Sequence, residues 1–166
     1  MKILIVTPIF PPENRGPATY CFNLCQEIPS IVITFTKNPI TAKSVEVISI
    51  PTKGGVFIRQ IRLIKQICQQ GKSCDLIYAQ GADVCGFAAV IAGKLINKKV
   101  VVKFVGDLDE EMRRDFNKNV NYLKYVIKLT LKFADKIIFP AEHLRKQIVS
   151  KYEIDKNRTE VVYNAI

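Results

Sequence analysis

The sequence lacks several residues that would point to common types of site. It has no tryptophan and a single histidine, His143, so a metal site or a catalytic pair built from histidines is not expected. Five cysteines are present, none of them in a CxxC pair: Cys21, Cys25, Cys68, Cys74 and Cys85. An odd number of cysteines with no signal peptide before them predicts reduced thiols packed in the core of a cytoplasmic protein. A metal or redox role for these thiols is the weaker alternative.

Long apolar runs and glycine-rich phosphate motifs are also missing. No apolar run approaches the roughly 18 residues needed to cross a bilayer. Neither GxGxxG nor GxxxxGK[ST] occurs, which speaks against a dinucleotide-binding domain and against a P-loop. No internal repeat or low-complexity linker divides the chain.

The composition is that of one globular domain with a large positive charge. The chain has 166 residues, of which 48% are hydrophobic and 24% charged, enough for a core without disulfide bonds. The formal net charge of +10 suits an anionic partner, such as nucleic acid, an acidic membrane surface or a phosphorylated substrate. Nucleic acid is the weakest of the three, because no recognition motif is visible.

Apolar β-branched runs alternate along the chain with helical patterns. The predicted strands are Ile3–Thr7, Ile31–Phe35, Val45–Ile50, Leu76–Ala79, Val100–Val105, Lys136–Phe139 and Glu160–Tyr163. The predicted helices are Pro17–Ile28, Val56–Gln70, Asp83–Ile96, Leu108–Asp115, Val120–Phe133 and Glu142–Lys151. Because most strands are continuously apolar, they indicate a sheet covered on both faces. The alternation predicts a Rossmann-like three-layer α/β/α domain with a mainly parallel sheet of about seven strands.

Residue spacing predicts which faces of the helices are buried. In the first helix an apolar stripe consists of Ala18, Cys21, Cys25 and Ile28. In the second helix the spacing predicts an inward stripe of Phe57, Ile61, Ile64 and Cys68, and an outward line of Arg59, Arg62 and Lys65. The third helix, CGFAAVIAGKLI, is apolar on nearly every side and is expected in the middle of the domain.

The loop after the first strand is a candidate ligand site. In an open parallel sheet, ligands lie beyond the carboxyl ends of the strands. Gly16 has no Cβ to keep a ligand from its backbone, and Pro17 suits the first position of a helix. The helix N-terminus and the charge of Arg15 suit a phosphate. The alternative is an ordinary strand-to-helix turn with a helix-starting proline.

Four segments, in order, resemble the N-terminal domain of the retaining group 1 glycosyltransferases with a GT-B fold. PIFPPENRGPATY is similar to the first loop of that family, and LIYAQGADVCGFAAVIAGKL to its fourth strand and the following helix. VVVKFVGD is similar to the next strand with its Gly-Asp end. ADKIIFPAEHLRKQI and EVVYNAI are similar to the last units before the second domain. Together the segments span nearly the whole chain.

The resemblance implies one half of a two-domain enzyme. Residues 1–166 would form a single Rossmann-like, acceptor-binding domain, and the C-terminal domain that binds the donor would be absent. We expect either a truncated piece or one half of a split enzyme, inactive or nearly so by itself. Tyr163 and Asn164 would lie where the chain crosses between the domains. An exposed cleft surface could lead the isolated domain to form homodimers.

The resemblance also implies roles for residues of the cleft. The amide of Gly16 would contact the donor phosphate, with Arg15 standing where the family usually has another glycine. The implied acceptor-binding residues are Asn14, Gln80, Gly81, Lys103 and Gly106. Many relatives have a histidine at the position of Val105, so a contact between that histidine and the transferred sugar is not expected here.

Asp107 is the candidate catalytic residue, and three of its neighbours in the predicted cleft have alternative roles. Asp107 could accept a hydrogen bond or a proton from the acceptor hydroxyl, or it could cap the helix that follows. Lys103 could pair with Asp107 or with a bound phosphate, or its amine could extend to solvent from an edge strand. Gln80 could touch the acceptor, whereas Asp83 is more typical of a helix N-cap.

The implied reaction moves a hexose from a nucleotide sugar, such as a UDP- or GDP-hexose, to a hydroxyl of a sugar or lipid-linked acceptor. It belongs to polysaccharide or glycolipid synthesis and requires no cofactor and no metal. The first alternative is a non-catalytic Rossmann-like scaffold that recruits a separate donor-binding subunit to the membrane. The second is a small dinucleotide-binding domain.

Two lines of basic residues suggest contact with a membrane. Lys124, Lys128 and Lys132 lie four residues apart on one predicted helix, and Arg59 and Arg62 lie on another. Basic amphipathic helices bind anionic lipid, so we expect a cytoplasmic protein that is peripheral on the inner face of the cell membrane. The alternative is a pair of solvated helix faces.

Overall fold

The computed structural model describes residues 1–40, 45–106 and 121–163. In these ranges seven strands form one sheet: β1 Ile3–Thr7, β2 Ser30–Thr34, β3 Glu46–Ser49, β4 Leu76–Gln80, β5 Lys99–Lys103, β6 Lys136–Phe139 and β7 Thr159–Val161. The helices in the same ranges are α1 Gly16–Glu27, α2 Gly55–Gly71, α3 Val84–Ile96, α4 Asn121–Phe133 and α5 Glu142–Tyr152. A short 3₁₀ turn, Lys156–Arg158, precedes β7.

The sheet is entirely parallel, with the strand order β3-β2-β1-β4-β5-β6-β7. Ile3 of β1 lies opposite Ser30 of β2 on one side and opposite Leu76 of β4 on the other. The chain therefore runs outward from β1 to β3 and then returns to start again at β4. This reversal places a crevice between the carboxyl ends of β1 and β4.

Helices cover both faces of the sheet. All five residues of β1 are buried, as its continuous apolar sequence predicts. Residues of α2, α3, α4 and α5 contribute to the larger apolar core on one face. Residues of α1 contribute to a smaller core on the other face, around Phe10, Cys21 and Cys25. The predicted α/β/α architecture is confirmed.

The buried stripe predicted for α1 is confirmed at Ala18, Cys21 and Cys25, whereas Ile28 is half-buried. Burial raises the pKa of the Cys21 thiol to about 12, so this thiol stays protonated at neutral pH. All five cysteines are free. The first of them therefore behaves as an apolar core residue rather than as a reactive group.

The inward stripe predicted for α2 is confirmed at Ile64 and Cys68, which are half-buried against the larger core, and is wrong at Phe57 and Ile61. Phe57 is 77% exposed and Ile61 is 51% exposed, while Leu63, Ile67 and Gly71 are buried instead. Both stripes recur at intervals of three or four residues, so periodicity could not distinguish between them. Gly71 marks the true contact face, because a Cβ there would lie 2.7 Å from Cδ1 of Ile96 in α3.

Arg59 does not lie with Arg62 on an outward line of α2. Its guanidinium lies 5.3 Å from the centre of the Phe35 ring, just beyond the end of β2, and the residue is only half-exposed. Arg62 is exposed, and its guanidinium donates to the carbonyl of Lys53. The prediction that Arg59 faces outward is therefore corrected, because the face of α2 that carries it is turned towards the sheet.

Most boundaries differ from the predicted ones by one or two residues. Helix α1 begins at Gly16 rather than Pro17, and β5 ends at Lys103 rather than Val105. The predicted helix Leu108–Asp115 lies outside the described residues, as does the start of the next predicted helix at Val120.

Gly86 lets α3 approach the turn that follows β4. A Cβ at this position would lie 2.4 Å from the carbonyl oxygen of Gly81 and 2.8 Å from Cγ2 of Thr130 in α4. A Cβ at Gly16 would meet no atom within 4 Å. The packing of the fold therefore requires a glycine at position 86 but not at position 16.

Gly86→Ala is expected to lower the free energy of unfolding by about 1–3 kcal/mol, because the new methyl group forces the backbone of the turn to move. Gly16→Ala is the control, and it should leave stability unchanged or raise it by up to about 1 kcal/mol. Urea denaturation followed by circular dichroism measures both. Equal losses in the two variants would contradict this account of the packing.

Candidate functional site

A pocket of about 620 Å³ opens between α1 and the carboxyl ends of β4, β5 and β6. It lies beside the crevice where the strand order reverses, which is the usual ligand position in an open parallel sheet. The lining residues come from α1 and from the ends of these strands: Gly16, Pro17, Thr19, Tyr20, Asn23, Leu24, Glu27, Gln80, Lys103, Val105 and Pro140.

The first turn of α1 leaves one backbone amide without a helical partner. Arg15 precedes the helix in an extended conformation, and its carbonyl accepts from the amides of Ala18 and Thr19 at 2.9 and 3.1 Å. Pro17 has no N–H. The amide of Gly16 is therefore the first-turn donor that no helix carbonyl satisfies. Because Gly16 is exposed and lines the pocket, this amide and the positive end of the helix dipole suit an anionic ligand.

Hydrogen bonds to the end of β2 hold the loop before α1. The amide of Phe10 donates to Oγ1 of Thr36 at 2.7 Å, and this hydroxyl donates to Oε1 of Glu13 at 2.7 Å. The Phe10 side chain is fully buried, and its ring centre lies 6.0 Å from that of Phe22 in α1. The loop therefore sets the position of the helix start rather than leaving it mobile.

Lys103 lies in the wall of the pocket and is 1% exposed. Its Nζ is 3.2 Å from the centre of the Tyr20 ring, a cation–π contact that links β5 to α1. Burial lowers the pKa of the Lys103 ammonium to about 8, because a desolvated cation is disfavoured. The alternative of an edge strand with its amine in solvent is wrong, because β5 lies between β4 and β6.

Gln80 lies beside Lys103, its register partner in the sheet, and is also buried. The hydroxyl of Tyr78 donates to Oε1 of Gln80 at 3.1 Å. Burial raises the pKa of Tyr78, so its hydroxyl remains a donor at neutral pH. The hydrogen bond holds the carboxamide of Gln80 in a defined place in the pocket wall.

Gly81 and Asp83 shape the turn after β4 and do not line the pocket. Gly81 has a φ of +107°, and its amide donates to the carbonyl of Lys103 at 2.9 Å. Glycine suits this left-handed conformation. Oδ1 of Asp83 accepts from the amide of Cys85 at 3.4 Å, so the prediction that Asp83 caps α3 is confirmed.

The structure brings together only some of the residues that the sequence singles out. Gly16, Gln80 and Lys103 line one pocket, whereas Asn14 and Arg15 are exposed on the loop ahead of it. Gly106 is half-buried at the end of a described range, and Tyr163 is exposed. Lys124, Lys128 and Lys132 are exposed on α4, away from the pocket. Asp107 and Asn164 lie outside the described residues, so the roles assigned to them stay predictions.

Sequence reasoning missed the wall that α1 contributes. Tyr20, Asn23 and Glu27 recur at intervals of three and four residues, so they lie along one side of the helix. This stripe of polar and aromatic residues is the feature of the sequence that could have predicted a ligand-facing side of α1. Its meaning depended on knowing that this side of α1 faces the ends of β4 and β5.

In residues 1–40, 45–106 and 121–163, no three His, Cys, Asp or Glu side chains come together as a candidate metal site. Within the same ranges, no helix combines the length and the apolar character needed to cross a membrane.

The sequence matches the model of a known protein family. Residues 15–166 match the family described as Glycosyltransferase Family 4. No curated protein matches the chain as a relative.

Solved structures share the fold at low sequence identity. Sucrose-phosphate synthase from Thermosynechococcus elongatus superimposes with a TM-score of 0.78 and 11% identity, over 99% of this chain and 48% of that protein. UDP-GlcNAc 2-epimerase from Neisseria meningitidis, bound to UDP-GlcNAc, gives a TM-score of 0.66 and 15% identity over 97% and 45%. The epimerase from Methanocaldococcus jannaschii gives 0.59 and 16% over 98% and 45%. The chain spans less than half the length of each of these proteins, and its fold is that of one half of a GT-B protein.

Lys103→Met is expected to raise the free energy of unfolding at pH 7 by on the order of 1–3 kcal/mol, because it removes a desolvated charge. The pKa of Lys103 is about 8 in the folded state against an ordinary lysine value of 10.5, so the unfolded chain binds more protons between these values. The free-energy penalty of burying the charged lysine is therefore at its full size below about pH 8, and it decreases as the pH rises to 10.5.

The advantage of the methionine variant should accordingly shrink between pH 8 and 10.5. Urea denaturation of both proteins across this range measures it, with the exposed Lys37→Met as the matched control. A difference in stability between Lys103→Met and the wild type that does not change with pH would contradict the burial of a charged Lys103.

Proposed function

The chain belongs to Glycosyltransferase Family 4, and on that basis we propose that it is the acceptor-binding half of a retaining, nucleotide-sugar-dependent glycosyltransferase. The reaction transfers a hexose to a hydroxyl of a polysaccharide or glycolipid precursor. The observation that carries the proposal is the pocket in which the Gly16 amide, Gln80 and Lys103 meet at the crevice of the sheet. The family and the half GT-B fold support a domain related to glycosyl transfer.

In this proposal the Gly16 amide stabilises the donor's diphosphate as the glycosidic bond breaks. Negative charge develops on the leaving group, and a fixed N–H at a helix N-terminus can stabilise it without titrating. Arg15, exposed on the adjoining loop, adds a full positive charge nearby. The donor is a UDP- or GDP-hexose, a class supported by the neighbour from Neisseria meningitidis that was solved with UDP-GlcNAc.

The acceptor lies in the pocket between α1 and the strand ends. Tyr20 provides an aromatic surface, and Asn23 and Glu27 provide hydrogen-bonding groups for sugar hydroxyls. Gln80 and Lys103 complete the wall on the side of the sheet. Asp107, which follows β5 and Gly106 in the chain, is the proposed acceptor of the hydroxyl proton. The proposal assigns no role to a metal ion or an organic cofactor.

The second domain supplies the rest of the donor site. The similar solved proteins are more than twice as long as this chain, and residues 1–166 match only about half of each. Tyr163 is exposed at the end of the described residues, where the resemblance puts the crossing to the other domain. We expect residues 1–166 alone to transfer no sugar. The five free cysteines suit a reducing, cytoplasmic location.

A transfer assay on the full-length protein tests the proposal, with UDP- and GDP-hexoses as donors. Gly16→Ala should lower kcat/KM on the order of 100-fold, because the added methyl group separates the donor phosphate from the amide. Stability should not fall, since a Cβ at Gly16 meets nothing within 4 Å. Ser150→Thr, which adds one methyl group at an exposed position in the last turn of α5, is the matched control and should retain full activity.

Wild-type activity in Gly16→Ala would contradict the role of the amide. If the full-length wild type transferred no sugar from any donor, a scaffold that recruits a separate donor-binding subunit would replace the enzyme as the better account. Undiminished transfer by residues 1–166 alone would show that the donor site does not need a second domain.

A further inference from the structure

The outer surface of α3 is apolar although no described element covers it. This helix packs between α2 and α4 and against β1, β4 and β5, so its free side is the one turned away from the sheet. The apolar residues on that side are Phe87 and Ile91, which are half-buried, and Leu95, which is 68% exposed. They recur every four residues and form one continuous stripe.

Helix α2 extends this stripe on one side. Nε2 of Gln60 donates to the carbonyl of Val84 at 3.2 Å, so the flank of α2 that carries Gln60 faces α3. Phe57 lies three residues before Gln60 on that flank, and Ile61 lies one turn after Phe57. Both side chains are exposed, because this flank of α2 is turned away from the sheet and the core.

Helix α4 extends the stripe on the other side. Phe133 lines a small cavity together with Val90, Gly93 and Lys94, so it lies beside the end of α3. Leu129 lies one turn earlier, and both residues are exposed. The three helices carry nine exposed apolar residues, of which Val56, Ile58 and Tyr125 lie beside the stripe. The other six are called the outer helix face here: Phe57, Ile61, Leu95, Tyr122, Leu129 and Phe133.

The charged side chains of the three helices themselves all have one sign. Helices α2, α3 and α4 contain no Asp and no Glu, and their cations are Arg59, Arg62, Lys65, Lys94, Lys124, Lys128 and Lys132. All except Arg59 are exposed. In the part of the chain that the structure describes, two nearby acids come from outside the three helices. Glu153 lies 4.0 Å from Nζ of Lys128 in an exposed pair, and Asp135 lines the same small cavity as Phe133 and Lys94. The rim of the outer helix face is therefore strongly cationic.

We propose that the outer helix face docks on an anionic lipid bilayer. A bilayer offers an apolar layer and negative headgroups over a wide area, and both match this surface. Tyrosine and phenylalanine can enter the headgroup boundary, while the lysine chains extend to the phosphates. A protein partner would have to present an apolar patch within a uniformly acidic rim, which is a narrower requirement.

Docking on this face leaves the pocket open. Helices α2 to α4 contribute to the core on one side of the sheet, whereas α1 contributes to the core on the other side. The pocket beside α1 therefore points away from the bilayer surface. The inference does not depend on the proposed reaction, since it rests on the exposed residues and charges of three helices.

Co-sedimentation of the purified full-length protein with vesicles tests the proposal. Vesicles of phosphatidylcholine with phosphatidylglycerol should bind the protein at least about tenfold more strongly than vesicles of phosphatidylcholine alone. The double variant Phe57→Gln, Ile61→Gln should weaken binding to the anionic vesicles on the order of tenfold or more. The matched control is Ile40→Gln, Val162→Gln, which alters two exposed apolar residues outside the three helices and should bind as the wild type does.

A second variant tests the charged rim. Lys124→Gln, Lys128→Gln, Lys132→Gln should weaken binding about fivefold per lysine, or on the order of 100-fold together. The control triple Lys37→Gln, Lys146→Gln, Lys156→Gln removes the same charge from exposed positions outside the three helices and should lose less than about fivefold. Because all the replaced side chains are exposed, each variant should keep the urea midpoint of the wild type.

Three results would overturn the proposal. One is failure of the wild type to bind anionic vesicles at low salt. Another is equal loss of binding in the face variants and their controls, which would show attraction by net charge alone. The third is a wild type that binds no vesicles but forms a dimer in analytical ultracentrifugation, together with a variant Phe57→Gln, Ile61→Gln that is monomeric. The outer helix face would then pair with a second copy of the chain.

Discussion

The candidate site depends on one constraint, which is that all seven strands of the sheet run in the same direction. Parallel strands bring the segments that follow them to one edge, and the reversal between β1 and β4 opens a crevice there. The start of α1, Gln80 and Lys103 are far apart in the sequence but meet at this edge. If β4 or β5 were antiparallel, Gln80 or Lys103 would lie at the opposite edge, and no pocket would contain both.

Two residues of the pocket, Lys103 and Gly16, are explained better by function than by stability. Lys103 is a buried cation in a parallel core, where an apolar side chain would cost the fold less. The Tyr20 ring offsets part of that cost, but burial still lowers the pKa of the ammonium. Gly16 is the converse case, because neither its packing nor a left-handed backbone requires glycine there. A glycine that the fold does not require suggests that a ligand approaches the backbone closely at that position.

Much of the fold follows from local sequence, because continuous apolar strands and short helices are local properties. β1 and β6 have the predicted boundaries, and the stripe of α1 is the predicted one. The contact face of α2 could be predicted only in part, because two stripes with helical spacing compete and tertiary packing decides between Phe57 and Leu63. The burial of Lys103 depended on the order of the strands, and the wall formed by Tyr20 and Glu27 depended on which side of α1 faces them. Those facts arise from tertiary structure, which residue spacing does not encode.

The central claim is that the amide of Gly16 contacts the phosphates of a nucleotide donor. Glycine-selective ¹⁵N labelling of the full-length protein, followed by NMR during titration with UDP and GDP, tests it most directly. Gly71, Gly86 and Gly93 are buried and serve as internal references. The account predicts that the Gly16 resonance moves far more than these three and saturates with the nucleotide that binds. A Gly16 resonance that stays in place while calorimetry shows that the same nucleotide binds would contradict the account.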